Sequence, residues 1–265
     1  MRRLLTFLLL CLALPATAQL RVVSLAPSLT ETMLDLGAGD LLVGVLDGGD
    51  RPAALAGLPS VGRYGQLQAE SLLSLKPDLV LLWPDSVGAV GREQLKRLSI
   101  PQLVVEPRNL EQLAHSFIEI GERIGRADQG RQLAARFETG LAELRQRYHR
   151  EAPLRVFYQV WDTPLYTLGG KQIVSDALKV CGARNVFADL PLPAPQVGVE
   201  AVLQRNPTVI LVSEPGQASA WASWPQLAAV KSKQVWPVPD RGLERPSFQM
   251  LGATEKLCRL LETAR

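Results

Sequence analysis

The sequence predicts an α/β protein of two lobes, each with a central, mainly parallel sheet flanked by helices, joined by one long α-helix. Three observations carry this prediction. Short apolar runs bounded by turn residues alternate with helical patterns along the chain, as in βαβ units. One helix–stop–strand segment occurs twice, and a single long amphipathic pattern lies between its copies. The 265 residues suffice for two ordinary cores, and a composition of 47% apolar and 21% charged residues is that of a globular chain. A net charge of +3, without a basic run beyond the first residues, argues against a nucleic-acid partner.

The elements follow in chain order. Arg2 and Arg3 precede the apolar run Leu4 to Pro15, and Ala16-Thr17-Ala18 supplies small residues for cleavage before Gln19. Residues 1–18 therefore read as a signal peptide, too short in its apolar run to span a bilayer. Leu8-Leu9-Leu10 precede Cys11 where a lipid-acylated cysteine needs small residues, so Cys11 belongs to the apolar run. The mature chain is expected to be exported and soluble.

Residues 19–126 read as an N-terminal lobe, 127–152 as the linking helix and 153–265 as a C-terminal lobe. Leu20-Arg21-Val22-Val23 opens the first lobe and Leu154-Arg155-Val156-Phe157 the second. Each strand leads to a helix ending near glycine, at Leu36-Gly37-Ala38 and at Cys181-Gly182-Ala183. The repeated segment comes next. Glu70 begins a short helix, Pro77 follows seven residues later, and Leu79-Val80-Leu81-Leu82 is a buried strand. Glu200, Pro207 and Val209-Ile210-Leu211-Val212 repeat that spacing 130 residues on. Gln102 to Val105 and Gln234 to Val238 read as further strands. In the linking helix Leu133, Phe137, Leu141, Leu144 and Tyr148 make one apolar stripe, and Pro153 is the expected stop. A helix of about twenty residues spans roughly 30 Å and would act as a stiff spine.

Catalytic signatures are absent. There is no G-x-S-x-G elbow, phosphate loop, G-x-G-x-x-G or H-E-x-x-H motif, and Gly169-Gly170-Lys171 lacks the remaining residues of a phosphate loop. His115 and His149 have no partner at metal-ligand spacing, so no metal site is expected. The aromatics say more. Tyr64 sits in the glycine-flanked Gly62-Arg63-Tyr64-Gly65, Trp83 follows a strand, and Trp161 and Tyr166 are read into the loop after the strand ending at Val160. In parallel sheets ligands bind beyond the carboxyl ends of strands, so these four rings are expected to wall an interlobe cleft. Trp221, Trp224 and Trp236 are weaker candidates. Asp240, Arg241, Gly242, Leu243, Glu244 and Arg245 follow the strand ending at Val238 and offer polar groups at the same edge. Cys181 and Cys258 are the two cysteines left after signal removal, and an even count in an oxidising compartment reads as a disulfide.

Arg21-Val22-Val23-Ser24-Leu25-Ala26-Pro27 with Thr30-Glu31, Lys76-Pro77-Asp78 with Trp83, Val180-Cys181-Gly182, Asn185-Val186-Phe187, Pro195-Gln196-Val197 with Glu200, Asp240 with Glu244-Arg245, and Leu257-Cys258 together carry a resemblance. The chain resembles the periplasmic cobalamin-binding proteins of ABC importers, whose two lobes are joined by one long helix. The resemblance covers essentially the whole mature chain. It implies a periplasmic carrier without enzymatic activity, a monomer when free, with cobalamin as transported ligand and no cofactor. It implies that Cys181 and Cys258 pair, that Trp83 and the segment from Asp240 to Arg245 contact ligand, and that Tyr64 and Tyr166 supply aromatic contacts. It also implies that Glu70 and Glu200 dock onto the membrane subunits of an ABC importer. The chain departs from the family at Asp47-Gly48-Gly49-Asp50, where an aromatic is expected, and at Arg241-Gly242; Trp161 is read as compensating. Cobinamide, haem and a ferric siderophore are the other ligands in view. Haem binders of the same class look similar around Leu58-Pro59-Ser60-Val61-Gly62, and Arg63 and Arg241 fit haem carboxylates, but Tyr64 lies one residue beyond the haem pattern. A periplasmic enzyme would need a positioned base or nucleophile, and a metal chaperone a His/Cys/Asp cluster.

Overall fold

The computed structural model describes residues 19–48, 51 and 53–264; the predicted signal peptide, Gly49 and Asp50 lie outside that set. The first sheet contains β1 (Val22–Ser24), β2 (Leu42–Asp47), β3 (Ser60–Arg63), β4 (Gln66–Leu67), β5 (Leu79–Leu82) and β6 (Gln102–Val104), in the order β4-β3-β2-β1-β5-β6. All its pairings are parallel except the β3–β4 hairpin. Helices α1 (Pro27–Asp35), α2 (Ala69–Ser74) and α3 (Gly88–Leu98) connect these strands. Two long helices follow, α4 (Leu110–Arg123) and α5 (Ala127–Arg147).

The second sheet is built on β7 (Leu154–Asp162), a nine-residue strand. One edge of β7 pairs in parallel with β10 (Val209–Val212), which carries β11 (Val235–Pro237). The other edge is shared by β9 (Ala183–Asn185), parallel, and β8 (Leu165–Thr167), antiparallel. Helices α6 (Ile173–Val180), α7 (Val199–Arg205), α8 (Ala228–Lys231) and α9 (Met250–Glu262) complete this lobe.

The internal duplication is visible in backbone detail. α2–β5 and α7–β10 are the repeated segment, and each strand lies beside the first strand of its own lobe. Lys76 and Asn206 stop the two helices with left-handed backbone, at φ 46° and 40°, immediately before Pro77 and Pro207. Gly37 and Gly182 end α1 and α6 at the same φ of 64°, a conformation open to glycine without steric cost.

The connection between lobes differs from a lone spine. α5 ends at Arg147, well before Pro153, because the chain must turn at the buried Tyr148 to enter β7. Moreover α4 lies antiparallel along α5. Gly121 and Gly130 face each other where the helices cross, and a Cβ on Gly130 would lie 2.6 Å from the Phe117 carbonyl oxygen. Farther along, Phe117 and Phe137 meet edge to face at 5.5 Å. The turn between the helices touches the first lobe through Arg126 and Asp40, 3.8 Å apart. The opposite end of α4 reaches the second lobe, where the Leu110 amide donates to Asp176. Both helices therefore run between the lobes.

One apolar core continues from lobe to lobe through this pair. It joins Val22, Leu79 and Leu81 to Phe117 and Phe137, and on to Val156, Tyr158 and Leu211. Separate clusters fill the outer face of each sheet, around Val80 and Leu82 in one and Phe157 and Ile210 in the other. Each fully buried large apolar side chain contributes roughly 1.5–3 kcal/mol, so the shared core resists separation of the lobes. Cys181 and Cys258 are bonded, tying the end of α6 to α9, with Cα atoms 4.6 Å apart.

Candidate ligand-binding site

The carboxyl ends of the two sheets face each other, and the loops that leave them wall a cleft of about 500 Å³. After β1 come Ala26, Pro27 and Ser28 at the start of α1; after β2, Gly48; within the β3–β4 turn, Tyr64; after β5, Trp83 and Ser86. The opposite wall is Arg241, Glu244, Arg245 and Pro246, from the segment after β11. Rings and proline faces thus oppose a polar, charged wall, a division suited to a flat ligand with a polar periphery.

Local hydrogen bonds fix the aromatic wall. The Tyr64 amide donates to the Asp47 carbonyl at 3.0 Å, and the Gly65 amide to the Ser86 carbonyl at 2.7 Å. The buried Ser86 hydroxyl donates to the carbonyls of Leu25 and Trp83. The Tyr64 turn, the Trp83–Ser86 turn and the end of β1 are thereby locked together. Tyr64 itself stays 60% exposed, so its ring is available to a ligand. Desolvation, aided by the nearby Asp85 carboxylate, raises its phenol above the ordinary tyrosine value and keeps it neutral.

On the polar wall, Glu244 accepts hydrogen bonds from Tyr158 Oη at 2.9 Å and Ser213 Oγ at 3.2 Å. Burial first, then Glu244, push the Tyr158 hydroxyl well above its usual pKa, so it is a permanent donor. Arg241 is paired with Glu214 at 2.6 Å, and Arg245 with Glu31 of α1 at 2.5 Å. Ser247 and Gln249 also donate to Glu31, so one carboxylate of the first lobe collects three contacts from the second.

A family model described as "Periplasmic binding protein" matches residues 22–241. This chain belongs to the periplasmic binding protein family. It is 34% identical over 258 residues to the vitamin B12-binding protein of Vibrio cholerae serotype O1, covering 96% of this chain and 92% of that one. It is 35% identical over 250 residues to the vitamin B12-binding protein of Yersinia pestis, covering 93% and 88%. Among solved structures, the periplasmic vitamin B12 binding protein of Vibrio cholerae superposes with a TM-score of 0.81 at 33% identity, over 91% of this chain and 96% of that one. The periplasmic haem-binding protein of the same organism superposes with a TM-score of 0.79 at 21% identity, over 92% and 99%, which speaks for the fold alone.

In this periplasmic binding protein the cleft brings together Tyr64, Trp83, Arg241, Glu244 and Arg245 from the expected set. Other expectations require correction. Leu243 is buried in the shared core and does not line the cleft. Gly242 is also buried. Asp240 turns inward as a cap: it accepts from the Gly242 amide at 2.7 Å and pairs with Lys256 at 2.5 Å, and these bonds hold its carboxyl below the usual range. Trp161 and Tyr166 are not in a loop. They are direct partners across the β7–β8 hairpin, at the same sheet edge but outside the cleft lining. Trp221 is core, donating to Gln159 Oε1 at 2.7 Å; Trp224 and Trp236 are half-buried and do not line the cleft.

Ala26, Pro27, Ser28, Ser86 and Pro246 escaped the sequence reading as wall residues. The signal was available for the first three, since they directly follow a buried strand of a parallel sheet. Glu70 and Glu200 are exposed in the first turns of α2 and α7. Each helix returns the chain to the start of the next parallel strand, so both acids lie toward the carboxyl edges of their sheets. Among the described residues there is no cluster of three or more His, Cys, Asp or Glu side chains able to hold a metal ion, and no helix long and apolar enough to cross a membrane.

Proposed function

We propose that this chain captures cobalamin, or a related corrinoid such as cobinamide, in the interlobe cleft and delivers it to an ABC importer. The observation that carries the reading is the cleft itself, aromatic and prolyl on one side and hydrogen-bonding on the other, in a chain 34% identical over 96% of its length to a vitamin B12-binding protein. The corrin face would rest against Tyr64 and Trp83. Its amide periphery would meet Arg241, Glu244 and Arg245, with Trp161 and Tyr166 at the outer edge of the same sheet. The chain carries its ligand and does not transform it.

Export through the segment 1–18 would place the carrier in the periplasm, where a disulfide between Cys181 and Cys258 is chemically at home. Glu70 and Glu200 would pair with basic residues on a two-fold membrane partner, one acid from each lobe. We retain 19–126, 127–152 and 153–265 as the organisation of the mature chain, the helix of the middle segment ending at Arg147 and α4 packing along it.

Haem is the second reading, favoured by the exposed Tyr64 hydroxyl and by two arginines on the facing wall. Titration with aquocobalamin, cyanocobalamin, cobinamide and haem, followed by tryptophan fluorescence, separates the two. The corrinoid reading expects saturable quenching by corrinoids. Tight haem binding without a corrinoid response would overturn it.

A further inference from the structure

We propose that Glu31 sets the ligand selectivity of the cleft: by neutralising Arg245 it makes the polar wall accept a neutral or cationic, amide-bearing macrocycle and reject one bearing carboxylates. The inference rests on the corrinoid reading and deepens it. Glu31 is not in the cleft lining, and no ligand contact is required of it.

The charges around the cleft carry the argument. Two cations line it among the described residues, Arg241 and Arg245, and each is held by an acid from behind. Glu244, also in the lining, is bonded among the described residues to the neutral donors Tyr158 and Ser213. Asp85 stands close enough to Tyr64 to act on its phenol. The lining's two cations are therefore each offset by an acid, and Glu244 adds a carboxylate whose bonds are to neutral donors. Among the described residues of the lining, an entering carboxylate finds no unpaired cation to offset its desolvation, whereas carboxamides find donors and acceptors. Haem carries two carboxylates; the corrin periphery carries carboxamides.

The two pairs are not equal. Arg241 and Glu214 are 73% and 51% exposed, so water screens them and a ligand carboxylate can compete. Arg245 and Glu31 are 37% and 20% exposed, and Ser247 and Gln249 hold Glu31 in place. Glu31 is thus the acid that a ligand cannot displace. It also crosses from α1 to the opposite lobe, so the side chain that balances Arg245 also links the two walls of the cleft.

The test is Glu31→Gln, which keeps an oxygen acceptor for Ser247 and Gln249 but removes the charge. Calorimetric titration with haem and with cyanocobalamin is the measurement. The expected result is haem binding tightened about tenfold or more, equivalent to about 1.4 kcal/mol. That gain should shrink as salt rises, while cyanocobalamin affinity changes less than about threefold. Arg245→Gln added to Glu31→Gln should abolish the gain. Unchanged haem affinity in a folded Glu31→Gln protein, or a gain that survives loss of Arg245, would overturn the proposal. If Glu31→Gln alone does not fold, Glu31→Gln with Arg245→Gln removes both charges of the pair: haem affinity within about threefold of wild type is expected, and a fall of about tenfold or more would show Arg245 free to meet a carboxylate and overturn the proposal. Wild-type protein that binds no corrinoid, with the haem gain intact, refutes the corrinoid reading and leaves the charge rule standing.

Discussion

Trp83 illustrates how one residue serves both the core and the cleft. It packs against the continuous core on one side and lines the cleft on the other. Its removal should weaken both ligand binding and the fold. Trp83→Ala is expected to lower cyanocobalamin affinity about tenfold, from lost ring contact and area. Calorimetry measures this without relying on the deleted fluorophore. Asp35 gives a pH signature. Desolvation, then Glu31 one turn earlier on α1, raise its pKa to about 6, although Arg136 and the Phe248 amide pull the other way. A carboxyl with a raised folded-state pKa opposes folding above that pKa, and its penalty vanishes below the unfolded value near 4. Asp35→Asn should therefore stabilise the protein by about 1 kcal/mol at pH 7.5, a figure kept below the full shift because the side chain remains partly open to water. The gain should fade between pH 6 and 4 in urea denaturation. At this scale the sequence was legible where residue type carries its own chemistry, as with the two cysteines, Tyr64 and Trp83. It was opaque in Asp240–Arg245, where a run of polar residues hides a short turn that buries Leu243 and turns Asp240 inward as a cap.

At the scale of elements, the repeated stops Lys76-Pro77 and Asn206-Pro207 made both helix–strand units readable, because a left-handed residue followed by proline cannot continue a helix. The pairing of α4 with α5 was hidden for the opposite reason. Periodicity reports which face of a helix is apolar, not which partner covers it. Gly121 and Gly130 were the available clue, since adjacent glycines let two helix backbones approach. Gly130→Val would press side-chain atoms against the Phe117 carbonyl and Gly121, and should cost about 1–3 kcal/mol through overpacking. Thermal unfolding should show a midpoint lower by several degrees. The β7–β8 hairpin was missed because Trp161 and Tyr166 flank Thr163-Pro164, which reads locally as a loop although the strands on either side pair.

For the whole molecule, two parallel sheets turn their carboxyl ends toward one another, and a paired helical strut with a shared core holds them there. Glu31 adds a contact across the gap that joins residues more than two hundred positions apart, beyond the reach of any local pattern. Such a body suits a carrier that keeps its shape while a membrane partner reads both lobes at once. Reversal of the two outward acids, Glu70→Lys with Glu200→Lys, should abolish uptake in cells while leaving cyanocobalamin affinity within about twofold; uptake at the wild-type rate would remove their docking role. The central claim is that the cleft between the lobes is the corrinoid site, and a crystal structure of the mature chain with cyanocobalamin tests it most directly. The prediction is a corrin ring against Tyr64 and Trp83 with its amides at Arg241, Glu244 and Arg245. A corrinoid bound elsewhere, with the cleft holding only water, would contradict it.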